Sequence, residues 1–200
     1  MFDGFAGNWR DSWSEKSLFS KPTIYRVVRD SGQPVLHAKS DSANSGLLRE
    51  LTLESPEKLS VNLRWRWKVA KCLDSEKSER SRSGDDYVAR VCVIFEDSFI
   101  PLRTRSLQYV WSSRETIGAI YPSPYSKQVG MIVMRSGNTE SGQWLAEKRD
   151  LIADYQRYYG RAPKKISAIG IVVDTDNTKS QGEAWFSELI LETKPSEENP

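Results

Sequence analysis

The chain has 200 residues, 38% of them hydrophobic and 10% aromatic, and its charges nearly balance at +2. That is enough apolar material for a core without disulfide or metal staples, and too much for a disordered chain. No basic stripe marks a nucleic-acid partner, and no apolar run reaches the roughly 20 residues that span a bilayer as a helix.

The N-terminal Met1-Phe-Asp-Gly-Phe-Ala-Gly-Asn-Trp9 lacks a basic start followed by an apolar stretch, so no export signal is read there. Thr23 to Arg29 alternates, Asp30-Ser-Gly32 is a turn signal, and Pro34 to Lys39 returns as the second arm of a hairpin. Leu47 to Leu53 alternates again and stops at Pro56. Leu59 to Val69 is the clearest strand: Leu63, Trp65, Trp67 and Val69 share one face, and Arg64, Arg66 and Lys68 the other. Cys72 to Gly84 is a charged, serine-rich insertion, which predicts a solvated, mobile loop. Tyr87 to Phe95 is mostly apolar and predicts a strand buried on both faces. Leu107 to Trp111 and Gly130 to Arg135 predict further strands, separated by the turn-rich Tyr121-Pro-Ser-Pro-Tyr-Ser126.

Trp144 to Tyr159 predicts a helix, with Leu151, Ile152, Tyr155 and Tyr158 at helical spacing and Gly160 as its stop. Ile166 to Val173 and Ala184 to Glu192 complete the sheet, and the tail from Lys194 is disordered by composition. Eight or more short strands predict a mainly β, jelly-roll β-sandwich. It forms one domain over residues 1–193, with the helix of its C-terminal half packed against it. Cys72 and Cys92 have no metal-binding spacing, and two buried thiols are preferred to a disulfide.

Several strings resemble one family. They are Leu63-Arg-Trp-Arg-Trp-Lys-Val69, Gly84-Asp-Asp-Tyr-Val-Ala-Arg90, Gln108-Tyr-Val-Trp111, Met131-Ile-Val-Met-Arg-Ser-Gly137, Asp154-Tyr155 and Asp174-Thr-Asp-Asn-Thr178. Together they resemble the family catalogued as domain of unknown function 3047, in its order, from about Thr23 to Leu191. The resemblance implies a bacterial, largely exported protein, periplasmic or secreted. It also implies a sandwich similar to galactose-binding and other carbohydrate-binding jelly rolls, with no assigned activity. The closing strand departs from it, reading Phe186-Ser187-Glu188 where the family tends to Tyr-Gly-Asp.

Two constellations stand out as sites. Asp174, Asp176, Asn177 and Thr178 crowd oxygens into a loop between strands, with Glu188 or Asp3 to complete a shell. Hard cations want about six to eight oxygens, so calcium is the cofactor such a loop offers; the alternative is a solvated, self-capped turn. The second is the cationic face of Arg66 and Lys68. On a concave sheet it would meet Arg90, Asp86, Tyr109 and Trp111 in a groove where aromatic rings stack on sugars and charged groups bind hydroxyls or carboxylates. The alternative leaves Tyr109 and Trp111 in the core.

Asp85 and Asp86 precede Arg90, and strand geometry favours an Asp86–Arg90 link over a converging acid–base pair. On the helix, Arg149, Asp150, Asp154 and Arg157 suit surface ion pairs, and Asp154 is placed to anchor the helix to the sheet.

His37 is the single histidine and no nucleophilic triad, zinc motif or glycine-rich phosphate loop occurs, so no nucleotide cofactor is expected. Three classes remain: a polysaccharide- or glycan-binding module, with or without calcium; a lyase or hydrolase using carboxylates with Tyr109 and Arg66 or Arg90; and a cell-envelope assembly protein without a small ligand. Binding leads, and the residues name no reaction.

Overall fold

The computed structural model describes Phe5 and residues 8–17, 21–96 and 104–195. Its strands are β1 (Ser14–Lys16), β2 (Ile24–Asp30), β3 (Gln33–Asp41), β4 (Asn44–Glu54), β5 (Leu59–Val69), β6 (Tyr87–Glu96), β7 (Thr104–Ser112), β8 (Ile120–Ser123), β9 (Ser126–Ser136), β10 (Leu145–Asp150), β11 (Lys165–Asp174) and β12 (Gln181–Pro195). One helix, α1 (Leu151–Tyr159), follows β10 directly. A seven-stranded sheet runs β1-β4-β11-β6-β7-β9-β8 and a five-stranded sheet β10-β5-β12-β3-β2. The two pack face to face as the predicted jelly-roll sandwich.

Period-two alternation decides which side chains lie between the sheets. From β5 these are Val61, Leu63, Trp65, Trp67 and Val69; from β7, Leu107, Tyr109 and Trp111. Trp65 meets Tyr109 at 5.2 Å and Trp67 meets Trp111 at 5.8 Å between ring centroids. By area, burying one such ring contributes about 4–6 kcal/mol. The outer face of the seven-stranded sheet carries a second cluster, Tyr87, Val110, Tyr121, Met131 and Val133. β6 is therefore buried on both faces, as predicted. Cys72 and Cys92 are separate buried thiols.

The β2–β3 hairpin closes through Ser31 and Gly32, both at positive φ, the two-residue turn whose twist matches its strands. Beyond its middle the hairpin leaves the sheet. β3 pairs with β12 only as far as Leu36 opposite Phe186. There β12 passes through a bulge between Ser187 and Ile190 and continues along β5 alone. The parted strands leave a gap on the outer face of the five-stranded sheet.

Four elements differ from the sequence reading. The helix predicted from Trp144 starts only at Leu151, because residues 145–150 pair with β5, Leu145 opposite Trp67 and Asp150 opposite Asn62. Asp150 then caps α1, accepting the Ile152 and Ala153 amides at 3.0 Å, and Gly160 ends it at φ 71° as expected. Arg149 thus belongs to a strand. The turn-rich stretch after Tyr121 contains β8, whose Tyr121 is buried.

The charged insertion is not simply solvated, since Leu73, Glu79 and Gly84 are buried. The Glu79 carboxylate accepts the Ser112 hydroxyl and, at 2.7 Å, the Ser113 amide, which ties the loop to the end of β7. Finally, β12 carries Lys194 and Pro195 into the stretch expected as tail, opposite Ser60 and Leu59; residues 196–200 lie outside the described residues.

Candidate functional site

On β5 the residues between the buried positions point outward, and one row crosses the outer face from strand to strand. Trp144, just before β10, stands beside Lys68 of β5, which is opposite Trp185 of β12, which is opposite His37 of β3. The Lys68 ammonium lies 5.1 Å from the Trp144 ring centroid and 4.7 Å from that of Trp185. His37 stacks on the far side of Trp185 at 4.9 Å and is held by Glu183 at 2.7 Å. Trp185 is therefore covered on both faces. Trp144, which has both Lys68 and Arg66 over its ring, lines the gap left by the parted strands.

That gap is a groove of about 500 Å³. The hairpin tip supplies Asp30, Gln33, Pro34 and Val35 as one wall, the floor is Arg66, Ser187, Glu188 and Ile190, and Trp144 closes the side. Asp30 accepts the Lys68 ammonium at 2.6 Å and the Trp144 indole N–H at 2.9 Å. The Lys68 bond, then the Trp144 bond, holds its carboxyl below the usual carboxylate range, so Asp30 is an ionised acceptor. Arg66 reaches Glu188 at 3.3 Å and also lies over the Trp144 ring, 5.6 Å from its centroid. Glu188 sits in the bulge at φ 51°, a left-handed backbone that costs a residue with a Cβ about 1–2 kcal/mol. The strain turns its carboxylate outward, leaving Leu189 in the core.

The predicted groove is corrected in its other members. Tyr109 and Trp111 are fully buried between the sheets. The Tyr109 hydroxyl donates to Asp154 of α1 at 2.9 Å, so Asp154 does anchor the helix, held also by Arg149. The Trp111 indole N–H donates to the Gly137 carbonyl. Arg90 is buried on the seven-stranded sheet, apart from Arg66 and Lys68, because β6 and β5 belong to opposite layers.

Nor does Arg90 pair with Asp86. It grips Asp174 on β11 with two bonds, at 3.0 and 2.5 Å, and reaches the Asp85 carbonyl and Gln108. Asp85 and Asp86 precede β6, so strand alternation does not govern where they point.

Asp86 instead ties down the loop before β12. It accepts the amide and side-chain nitrogen of Asn177 at 3.2 and 3.0 Å, and the amide and hydroxyl of Thr178 at 2.6 and 2.5 Å. Carboxylate oxygens of Asp86, Asp174 and Asp176 come within 4.8 Å of one another, the arrangement expected of a cation site. Of the remaining expected ligands only Thr178 brings an oxygen to the cluster, a hydroxyl whose proton is given to Asp86; Asn177 turns its nitrogens there and its Oδ1 to the Tyr125 hydroxyl, Glu188 faces Arg66 on the other sheet, and Asp3 lies outside the described residues. With Asp86 and Asp174 already accepting from amides and a guanidinium, the set fits a cation poorly.

Burial pushes the Asp174 carboxyl up to about 7 against the pull of Arg90, and burial raises Asp85 too. One oxygen of Asp85 has no hydrogen-bond partner, 3.7 Å from an Arg90 nitrogen already bonded to the Asp85 carbonyl and Asp174.

The sequence reading found Arg66 and Lys68 but missed Trp144, Asp30 and Ser187, and placed Glu188 elsewhere. Trp144 was hidden inside an apparent helix, and Asp30 looked like a turn residue only. The sequence Leu-Ala-Glu-Lys-Arg-Asp of β10 has no apolar alternation to mark it as a strand.

The family model described as "Protein of unknown function (DUF3047)" matches residues 11–190. No curated protein matches the chain. Among solved structures, the family 11 carbohydrate-binding module of cellulosomal cellulase Lic26A-Cel5E of Clostridium thermocellum aligns with TM-score 0.50 at 10% identity, covering 98% of this chain and 94% of that one. The xyloglucanase domain of NopAA, a type three effector from Sinorhizobium fredii solved with cellobiose, aligns with TM-score 0.51 at 9% identity, covering 96% and 98%. A cellulase derived from Cel12A of Rhodothermus marinus aligns with TM-score 0.50 at 9% identity, covering 92% and 97%. At these identities the likeness is one of fold.

Proposed function

The chain belongs to the DUF3047 family, whose description states no activity, and from its groove we propose that it is a glycan-binding β-sandwich. The observation that carries this is the meeting of Trp144 with Asp30, Arg66 and Glu188 in one open groove. A sugar ring needs a flat apolar surface for its C–H face and fixed polar groups for its hydroxyls; Trp144 supplies the first, and the two carboxylates and Arg66 the second. Both are held before a ligand arrives, Asp30 by Lys68 and Glu188 by Arg66, so little ordering is lost on binding. The fold shared with a carbohydrate-binding module and with a cellobiose-bound domain supports the same reading.

Binding is favoured over hydrolysis by the groove's carboxylates. A general acid is made by an apolar pocket that keeps a carboxyl protonated. Here Asp30 is bonded to Lys68 and Glu188 is half exposed beside Arg66. The assembly reading accounts for buried Tyr109 and Trp111 but leaves the groove without a use.

Affinity electrophoresis in gels containing soluble polysaccharides tests the proposal. Retardation by at least one polymer is expected, abolished by Trp144→Ala and kept by Tyr125→Ala, which removes an exposed aromatic away from the groove. No retardation by any polymer, or retardation that survives Trp144→Ala in a folded protein, would remove the reading.

A further inference from the structure

We infer that the groove selects uncharged sugar chains and turns away anionic ones, an inference that rests on the glycan-binding reading and adds the ligand class. The argument is one of charge. Among the described residues lining the groove, the ionised side chains are Asp30, Arg66 and Glu188, two carboxylates against one guanidinium. The cations nearby are already engaged. Arg66 is paired with Glu188 at 3.3 Å, and Lys68, behind Asp30, is paired with it at 2.6 Å.

A uronate or sulfate ester entering between Asp30 and Glu188 would meet two like charges. On Arg66 it would share one guanidinium with Glu188, so that three anionic groups would face a single lining cation. An uncharged pyranose makes no such demand. Its hydroxyls donate to carboxylates that are held in place and have free lone pairs, while Arg66 keeps donors to spare beyond its single bond to Glu188.

The backbone deepens the point. Glu188 holds a left-handed conformation at φ 51°, and its carboxylate is what neutralises the floor guanidinium. The bulge that sets this backbone also places the carboxylate in the floor of the groove beside Arg66. Glu188 is thus the specificity-determining residue, and Arg66 without it would make an anion site.

The test compares retardation by neutral polymers (xyloglucan, mixed-linkage β-glucan, galactomannan) with retardation by polygalacturonate and alginate, for the wild-type chain and for Glu188→Gln. Wild type is expected to bind its best neutral polymer at least about tenfold more tightly than either acidic one. Glu188→Gln, at a half-exposed position where glutamine keeps the shape, is expected to raise affinity for acidic polymers by about tenfold. Equal or stronger binding of acidic polymers by wild type overturns the inference while leaving a glycan groove in place. Unchanged exclusion of acidic polymers by Glu188→Gln overturns the role given to Glu188. Binding to no polymer at all removes the parent reading, and the inference with it.

Discussion

Asp85, Asp86 and Asp174 are buried around one guanidinium, that of Arg90. Removing a partner from a buried charge network leaves uncompensated charge, so Arg90→Ala is expected to cost about 3–5 kcal/mol in denaturant unfolding. A loss below about 1 kcal/mol would mean that water already solvates the cluster. The same cluster sets a pH dependence. Asp174 titrates at about 7 in the folded chain against an ordinary 3.8. Between those values the folded state holds a proton that the unfolded state has released. This contribution to stability is complete below pH 3.8 and is lost as pH rises to about 7. The stability of wild type relative to Asp174→Asn should therefore fall across that window, and a flat difference would refute the shift. Because Asp86 and Asp174 accept from protein donors, chelator should leave the melting temperature unchanged; a drop beyond about 4 °C, roughly 1 kcal/mol for a chain this size, would assign the cluster to a cation.

At the scale of elements, β5 was legible because its pattern has no ambiguity. Val61, Leu63, Trp65, Trp67 and Val69 alternate with Asn62, Arg64, Arg66 and Lys68, and no helix accommodates that. β10 and the start of α1 were not, because the strand runs into the helix without a turn, and Leu145, Leu151 and Ile152 mimic a longer helical face. The boundary is Asp150, last residue of the strand and cap of the helix. Asp150→Ala should cost about 1 kcal/mol in urea titration, and less than about 0.3 kcal/mol would show that packing of Leu151 and Tyr155 alone fixes the helix start. β12 hid its orientation in another way. Trp185 and Phe186 are adjacent aromatics, and only the register with β5 shows that Phe186 is inside and Trp185 outside. Tyr109 and Trp111 share a face with Leu107 and lie in the core, the alternative to the sugar-stacking role expected of them.

For the whole molecule, the groove exists because two strands that begin as neighbours do not stay so. β3 and β12 pair from Asp41 opposite Gln181 to Leu36 opposite Phe186, then separate at the Glu188 bulge. Sequence alternation predicts strands but not where a pair parts, so the two sheets were legible and the groove between hairpin tip and sheet was not. Its aromatic wall comes from a third element, the turn before β10, which no local pattern connects to Asp30 more than a hundred residues away. The hydrogen bond from Trp144 to Asp30 makes that connection visible. It also supplies a reporter. In a two-dimensional NMR titration with a soluble neutral oligosaccharide, the indole N–H signal of Trp144, assigned by its loss in a Trp144→Phe variant, should shift with saturation. The indole signals of the core residues Trp65, Trp67 and Trp111 should stay in place. A titration that moves Trp67 or Trp111 and leaves Trp144 still would contradict the account.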